Sequence, residues 1–303
     1  MGRTVAETIK DTTRNHLLKD KGLLFGQCVT AVGWIGGTVP EMTEEEGIIE
    51  LSMADVSGAG IAVGVALTGR RPIFVIRYQG FMWYNAAPLL NYAAKSKDLW
   101  GIPCPVFIRS IAMEGGMGPV ATASQHGMVM RMPGIPVCAP MTPGEWLEAW
   151  NWYMNHDDPI YVSEHRRSFP VDYEMEPVIR KDSRITLLAI SATRLNAAEA
   201  IKTLEKEGIS CDLIHLLWLK PFKITDVMTE SLRTTGLGLV LDSDFEISGP
   251  SRSIAYELMM STAVPVHCLG LEDRTAGFAP HFDNGTPTVD RILKKIRSLV
   301  KDR

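Results

Sequence analysis

Two ionisable residues stand out because of what surrounds them. Asp55 lies in "LSMADVSGAGIAVGVALTGRRP" (51–72), an acidic side chain among apolar and very small residues. His126 closes "GGMGPVATASQHGM" (115–128), a glycine-rich loop that leads into a helix start. A carboxyl group in apolar surroundings has its charged form disfavoured, and it can then share a proton with a neighbouring base. A histidine is suited to proton transfer near neutral pH. A third stretch, "YQGFMWY" (78–84), sets several aromatics at the end of an apolar run. Rings in that position can stack on a planar heterocycle. Each feature also has a structural reading: Asp55 as a helix N-cap, His126 as a packing histidine, the aromatics as core. Taken singly, the two readings stand side by side. A dinucleotide site is excluded, because "GAG" (58–60) is not the G-x-G-x-x-G fingerprint and no acidic partner follows the next strand.

The elements that would hold these residues alternate. "GLLFGQCV", "RPIFVIRY", "CPVFIRSI", "PVCAP" and "PIYVSEH" read as buried strands. Residues 4–20, 57–68, 82–100 and "TPGEWLEAWNWYMNH" read as helices between or beside them. Strand–helix alternation predicts a parallel sheet flanked by helices. In an open sheet of that kind ligands bind at the carboxyl ends of strands, which is where the aromatics of "YQGFMWY" fall. Residues 166–183 are polar, hold two prolines and lack periodicity, as an interdomain connection does. A second α/β unit follows, with "ITLLAIS", "SCDLIHLLWL", "GLGLVLDSD" and "PVHCLGLED" as strands and three helices, the last being "TVDRILKKIRSLVKDR".

Composition bounds the function class. The chain has 303 residues, 46% hydrophobic and 22% charged, with a net charge of −4 and no long basic run. Nothing in that balance points to nucleic acid or an anionic membrane surface. Five scattered cysteines show neither a CxxC pair nor a Cys/His metal spacing, as expected of reduced thiols in a cytoplasmic protein. No metal-ligand set is legible. The N-terminal residues lack the apolar core of a signal peptide, and no apolar run approaches membrane-spanning length.

The order and spacing of "LLFGQCV", "IIELSMADVSGAGIAVGVALTGRRPIF", "LLNYAAKS", "SQHGM", "MPGIPVCAP" and "DDPIYVSEH" carry a resemblance. The chain resembles the β subunits of thiamine diphosphate-dependent 2-oxo acid dehydrogenases (the decarboxylating E1 component) and the second half of transketolases. "AAEAIKTLEKEGISCDLIHLLWLKPF" is similar to the transketolase C-terminal domain, so the resemblance covers nearly the whole chain. It implies an α/β fold in two parts. These are a parallel-sheet pyrimidine-binding domain over residues 1–170 and a transketolase C-terminal-like domain over 184–303, joined by a linker at 171–183.

The resemblance also implies a site. In the family a glutamate contacts N1′ of the cofactor's aminopyrimidine, and that position falls on Asp55. Aspartate is one methylene shorter, and a misplacement of about 1 Å can cost on the order of a hundredfold in rate. Phe81 falls where the family sets an aromatic over the aminopyrimidine ring. Gln27 stands where an acidic residue near the cofactor is usual. His126 falls on the family's active-site histidine, and Asp157 with Asp158 where some members bind a structural potassium ion. The family holds the cofactor's diphosphate through Mg²⁺ with a G-D-G motif, and no "GDG" occurs here. The resemblance therefore implies thiamine diphosphate and Mg²⁺ whose diphosphate end is held by an α-type partner chain, in an α2β2 assembly.

The implied activity is the making or breaking of a C–C bond next to a carbonyl. The substrate would be a 2-oxo acid or a ketose, and a lipoyl-bearing acyltransferase would be a further partner in the dehydrogenase case. The alternative is a non-catalytic scaffold or regulatory subunit that has lost the glutamate.

Overall fold

The short apolar run "PIFVI" and the six-residue "FIRSIA" are both strands buried along their whole length, as in a parallel sheet covered by helices on both faces. The computed structural model describes residues 2–20 and 22–301. Its first half runs α1 (Val5–Lys19), β1 (Leu23–Gln27), α2 (Ala31–Gly37), β2 (Ile48–Leu51), α3 (Asp55–Leu67), β3 (Pro72–Ile76), α4 (Met82–Pro88), α5 (Ala94–Trp100), β4 (Phe107–Ala112), α6 (His126–Met130), β5 (Val137–Cys138), α7 (Pro143–Asn155) and β6 (Ile160–His165). The second half runs β7 (Ile185–Ile190), α8 (Thr193–Lys206), β8 (Cys211–Leu216), β9 (Trp218–Lys220), α9 (Asp226–Thr235), β10 (Gly238–Phe245), α10 (Pro250–Thr262), β11 (Val266–Leu271) and α11 (Val289–Lys301).

The strands form a seven-stranded sheet, β2-β1-β3-β4-β6-β5-β9, and a four-stranded sheet, β11-β10-β7-β8. Every pairing is parallel except β5 with β9. β9 comes from the second half of the chain and closes the edge of the first sheet. "SCDLIHLLWL", which reads as one strand, is thus two: β8 stays in the second sheet and β9 crosses to the first. One apolar cluster spans both halves, from Val129, Ile135 and Tyr161 to Leu188, Leu219 and Leu232.

The expected helix over 82–100 is interrupted. Pro88 lacks an N–H, and a π-helical turn at Leu89–Ala93 separates α4 from α5. α2, β2 and α9 are additional to the sequence reading. Residues 33–37 of α2 run through positive φ, with Trp34 at 53° and Ile35 at 50°, a left-handed turn made affordable by its three glycines. α3 buries Gly58, Ala59, Ala62, Val63 and Ala66. Its other face, with Val56, Gly60, Ile61, Gly64 and Leu67, is exposed. No helix among the described residues is long and apolar enough to cross a membrane.

Candidate active site

The parallel strands deliver three of the four expected site residues to one place. Gln27 ends β1, Asp55 opens α3 behind β2, and Phe81 lies in the turn that follows β3. With Arg77 and Asn85 they line a small concavity at the carboxyl ends of these strands. Asp55 is half-buried, and its carboxylate oxygen Oδ1 accepts a 2.9 Å hydrogen bond from Nδ2 of Asn85. Oδ2 makes no hydrogen bond with any described residue. Phe81 is half-buried with its ring 5.9 Å from that of Tyr78, whose other neighbour is the Arg77 guanidinium, 5.2 Å from the ring centre.

Asp55 is not the helix N-cap. The cap position is Ala54, which has no side-chain acceptor to offer. The role is taken from a distance: with the Gln27 amide oriented to satisfy its neighbours, its oxygen accepts the N–H groups of Ala54 and Asp55, each at 3.3 Å. A neutral acceptor from β1 therefore satisfies the start of α3, and the Asp55 side chain is left to point into the concavity.

His126 lies elsewhere. It is fully buried (0% exposed) at the junction of the two halves and does not line the Asp55 concavity. Both ring nitrogens are occupied: Nδ1 lies 2.9 Å from Ser163 Oγ and Nε2 lies 2.9 Å from Asp242 Oδ1, with Asp244 Oδ2 at 3.9 Å. Burial works against charge on the ring, but Asp242 and Asp244 outweigh it, and the His126 pKa is raised. Asp244 is pushed up to about 6, first by burial and then by Asp242. Its Oδ2 accepts the Gly127 N–H at 2.7 Å, so α6 is tied to the second sheet by both its first residues.

Gln79, also fully buried, joins this cluster to the Phe81 turn. Its Nε2 donates to Ser163 Oγ (2.9 Å) and to the carbonyls of Ser110 and Glu164 (both 3.1 Å), and its Oε1 accepts Gln125 N–H at 2.6 Å.

Sequence reasoning missed Asn85, Gln79, Asp242 and Asp244. Asn85 is four residues beyond Phe81, on the same face of a helix, which was the one available signal. The aspartates sit in "DSD" at the end of a strand-like run, a position that favours ligands or interfaces. Asp157 and Asp158 are paired with Arg71 (3.4 Å) and Lys97 (3.1 Å), as in a charged surface turn. His281 is exposed and packs on Phe282.

Residues 10–171 match the transketolase pyrimidine-binding domain, and residues 176–292 match the transketolase C-terminal domain. The chain belongs to the transketolase pyrimidine-binding domain family. Relatives in sequence include the pyruvate dehydrogenase E1 component subunit beta of Staphylococcus epidermidis, 23% identical over 321 residues and 98% of both chains. The same subunit from Bacillus subtilis is 25% identical over 321 residues, again 98% of both. Among solved structures, a split-gene transketolase captured as an inactive β4 tetramer superposes with a TM-score of 0.72 at 16% identity, covering 99% of each chain. Transketolase from Campylobacter jejuni gives 0.73 at 17% identity, and the present chain spans 47% of its length. The fold is common to this chain and these solved structures.

Proposed function

We propose that the chain is the β-type subunit of a two-chain thiamine diphosphate enzyme that makes or breaks a C–C bond adjacent to a carbonyl. The observation that carries this reading is Asp55: one carboxylate oxygen is fixed by Asn85, and the other is free beside the Phe81 ring. The side chains that line the concavity match the chemistry of the cofactor's aminopyrimidine end, since they offer a carboxylate for N1′ and an aromatic side chain for the ring. The diphosphate and Mg²⁺ belong to an α-type partner. Thiamine diphosphate, when bound, would supply the nucleophilic carbon and the electron sink that C–C bond chemistry next to a carbonyl requires.

Within this chain Asp55 Oδ2 shares the proton at N1′, Phe81 sets the plane of the ring, and Gln27 fixes the first turn of α3 on which Asp55 rides. Gln27 supports the site without adding charge, so Asp55 and Arg77 are the charged side chains that line it. His126, as positioned here, bridges the two halves of the chain, and the active-site role that the resemblance implies for it would require at least one of its two hydrogen bonds to open. The partner surface is the exposed face of α3 with the neighbouring α4 and α5, where Ile61, Trp83, Tyr84, Leu99 and Trp100 meet solvent.

The alternative, a scaffold or regulatory subunit, draws its support from the burial of His126. Calorimetric titration with thiamine diphosphate and Mg²⁺ separates the two readings, on the chain alone and after co-expression with its α-type partner. The expected outcome is saturable binding by the co-purified complex only. Turnover of 2-oxo acids or ketose phosphates by that complex should fall at least about a hundredfold in Asp55→Ala. Absence of binding in both preparations sinks the catalytic reading.

A further inference from the structure

Asn85 is a buried polar side chain in an unusual place. It lies inside α4, 2% exposed, where asparagine is a poor helix former and an unsatisfied amide would be costly. Both protons of its NH₂ group have acceptors. One goes to the Phe81 carbonyl at 2.9 Å, one turn back along its own chain. The other goes to Asp55 Oδ1, also at 2.9 Å. The first bond fixes the amide plane relative to the Phe81 backbone. The second fixes the carboxylate relative to that amide. Phe81 and Asp55, on different elements and 26 positions apart in sequence, are thereby tied through a single side chain.

The tie has a chemical direction. A free aspartate on the first residue of a helix can rotate about χ2 and present either oxygen. With Oδ1 engaged by Asn85, Oδ2 is the oxygen left without a hydrogen bond to a described residue, and Asp55 lines the same concavity as Phe81. An aspartate reaches one methylene less far than a glutamate, so its usefulness depends on being held in one orientation.

We propose that Asn85 is a positioning residue. It locks Asp55 so that Oδ2 is presented to the ring nitrogen of an aminopyrimidine, and it sets the distance between that oxygen and the aromatic face of Phe81. This rests on the reading of Asp55 given above, and the two can fail separately.

The test compares wild type, Asn85→Ala, Asp55→Ala and the double variant. Melting temperatures of the purified full-length chain without cofactor come first. A hydrogen bond present before cofactor arrives makes the double loss smaller than the sum of the single losses, and additive losses overturn the proposal. The co-purified complex is then assayed. Asn85→Ala should lower kcat at least about tenfold with substrate KM nearly unchanged, as expected when geometry and not ground-state binding is lost.

Asn85→Asp provides a variant that keeps size and polarity should Asn85→Ala fail to assemble. Two carboxyl groups at hydrogen-bond distance need a shared proton, so its kcat relative to wild type should rise as pH is lowered. The other charged side chain lining the concavity, Arg77, is the same in both proteins. A purely packing role for Asn85 gives no such pH trend, and its absence overturns the proposal. If Asp55→Ala abolishes turnover while Asn85→Ala changes kcat less than twofold, Asn85 is not the positioning group and the Asp55 reading survives. If Asp55→Ala leaves turnover unchanged, both fall.

Discussion

At the scale of single residues, the most consequential ion pair lies behind the site, in the middle of the first sheet. Arg109 (0% exposed) on β4 grips Glu164 (1%) on β6 through Nε at 2.6 Å and Nη2 at 2.8 Å, and Nη2 also donates to Thr38 Oγ1 at 3.0 Å. Breaking a buried pair leaves an uncompensated charge, at a cost of about 3–5 kcal/mol. Glu164→Gln should therefore lower stability by that amount in urea titration, while replacing both partners with methionine should recover most of it. Asp55 could be found from sequence alone because it is a local anomaly, an acid among glycines and alanines. Asn85 is far less visible, since its one local signal is the four-residue spacing from Phe81 and its partner Asp55 arrives from another element. Gln27 could be located but its job could not, because acting as a remote cap depends on how closely the end of β1 approaches the start of α3.

At the scale of elements, α3 has two unlike faces, and they make opposite demands. Its inner face packs Ala59, Ala62 and Ala66 against the sheet. On its outer face a side chain grown from Gly60 or Gly64 would meet nothing within 4 Å. Glycine in a helix interior is worth about 0.5–1 kcal/mol less than alanine, so these two persist at a cost to the isolated chain. Gly64→Ala should raise the melting temperature of the chain alone and weaken assembly with the α-type partner, read by mass photometry of the co-expressed pair. Unchanged assembly would mean that this face is not packed closely by another backbone. The elements were mostly legible because their local signals are strong: β3 is a continuous apolar run, and α7 has its Thr142 cap and Pro143 start. The π-helical break at Leu89–Ala93 was not, because Pro88 inside a helical pattern can end, kink or merely interrupt it. α2 escaped notice for a related reason: a left-handed turn has no hydrophobic period.

At the scale of the whole molecule, the protein buries ionisable groups with opposed pH responses. His165 and His215 are kept neutral by burial, their pKa values pushed down to about 3 and about 4, with Arg167 acting on the first and Arg194 on the second. The folded values lie below the ordinary 6.5, so the unfolded chain takes up the proton first as pH falls. Stability is therefore complete above about 6.5 and is lost on the way down, at ~1.4 kcal/mol per pH unit for each group. His215→Gln should reduce the loss of melting temperature between pH 7 and pH 5, by roughly 2 kcal/mol of stability at pH 5. His126 works in the other direction. Its raised pKa contributes stability below about 6.5 that disappears as pH rises past the folded value, and Asp244, raised to about 6, adds to the loss on that side. The two-part α/β organisation was readable from strand–helix alternation, but this junction was not, since Asp242 and His126 are 116 positions apart.

The crossing of β9 has a consequence for heredity as much as for folding. A chain cut anywhere in 171–183 would give a first fragment whose sheet ends at the two-residue β5, with its outer edge open to any passing strand. The second fragment would carry "WLK" with no sheet to join. Exchange of the C-terminal half between relatives must therefore carry over a matching edge strand along with the domain. The unit that evolution can shuffle here is the whole chain, and a gene broken at its most obvious seam would encode two sticky halves.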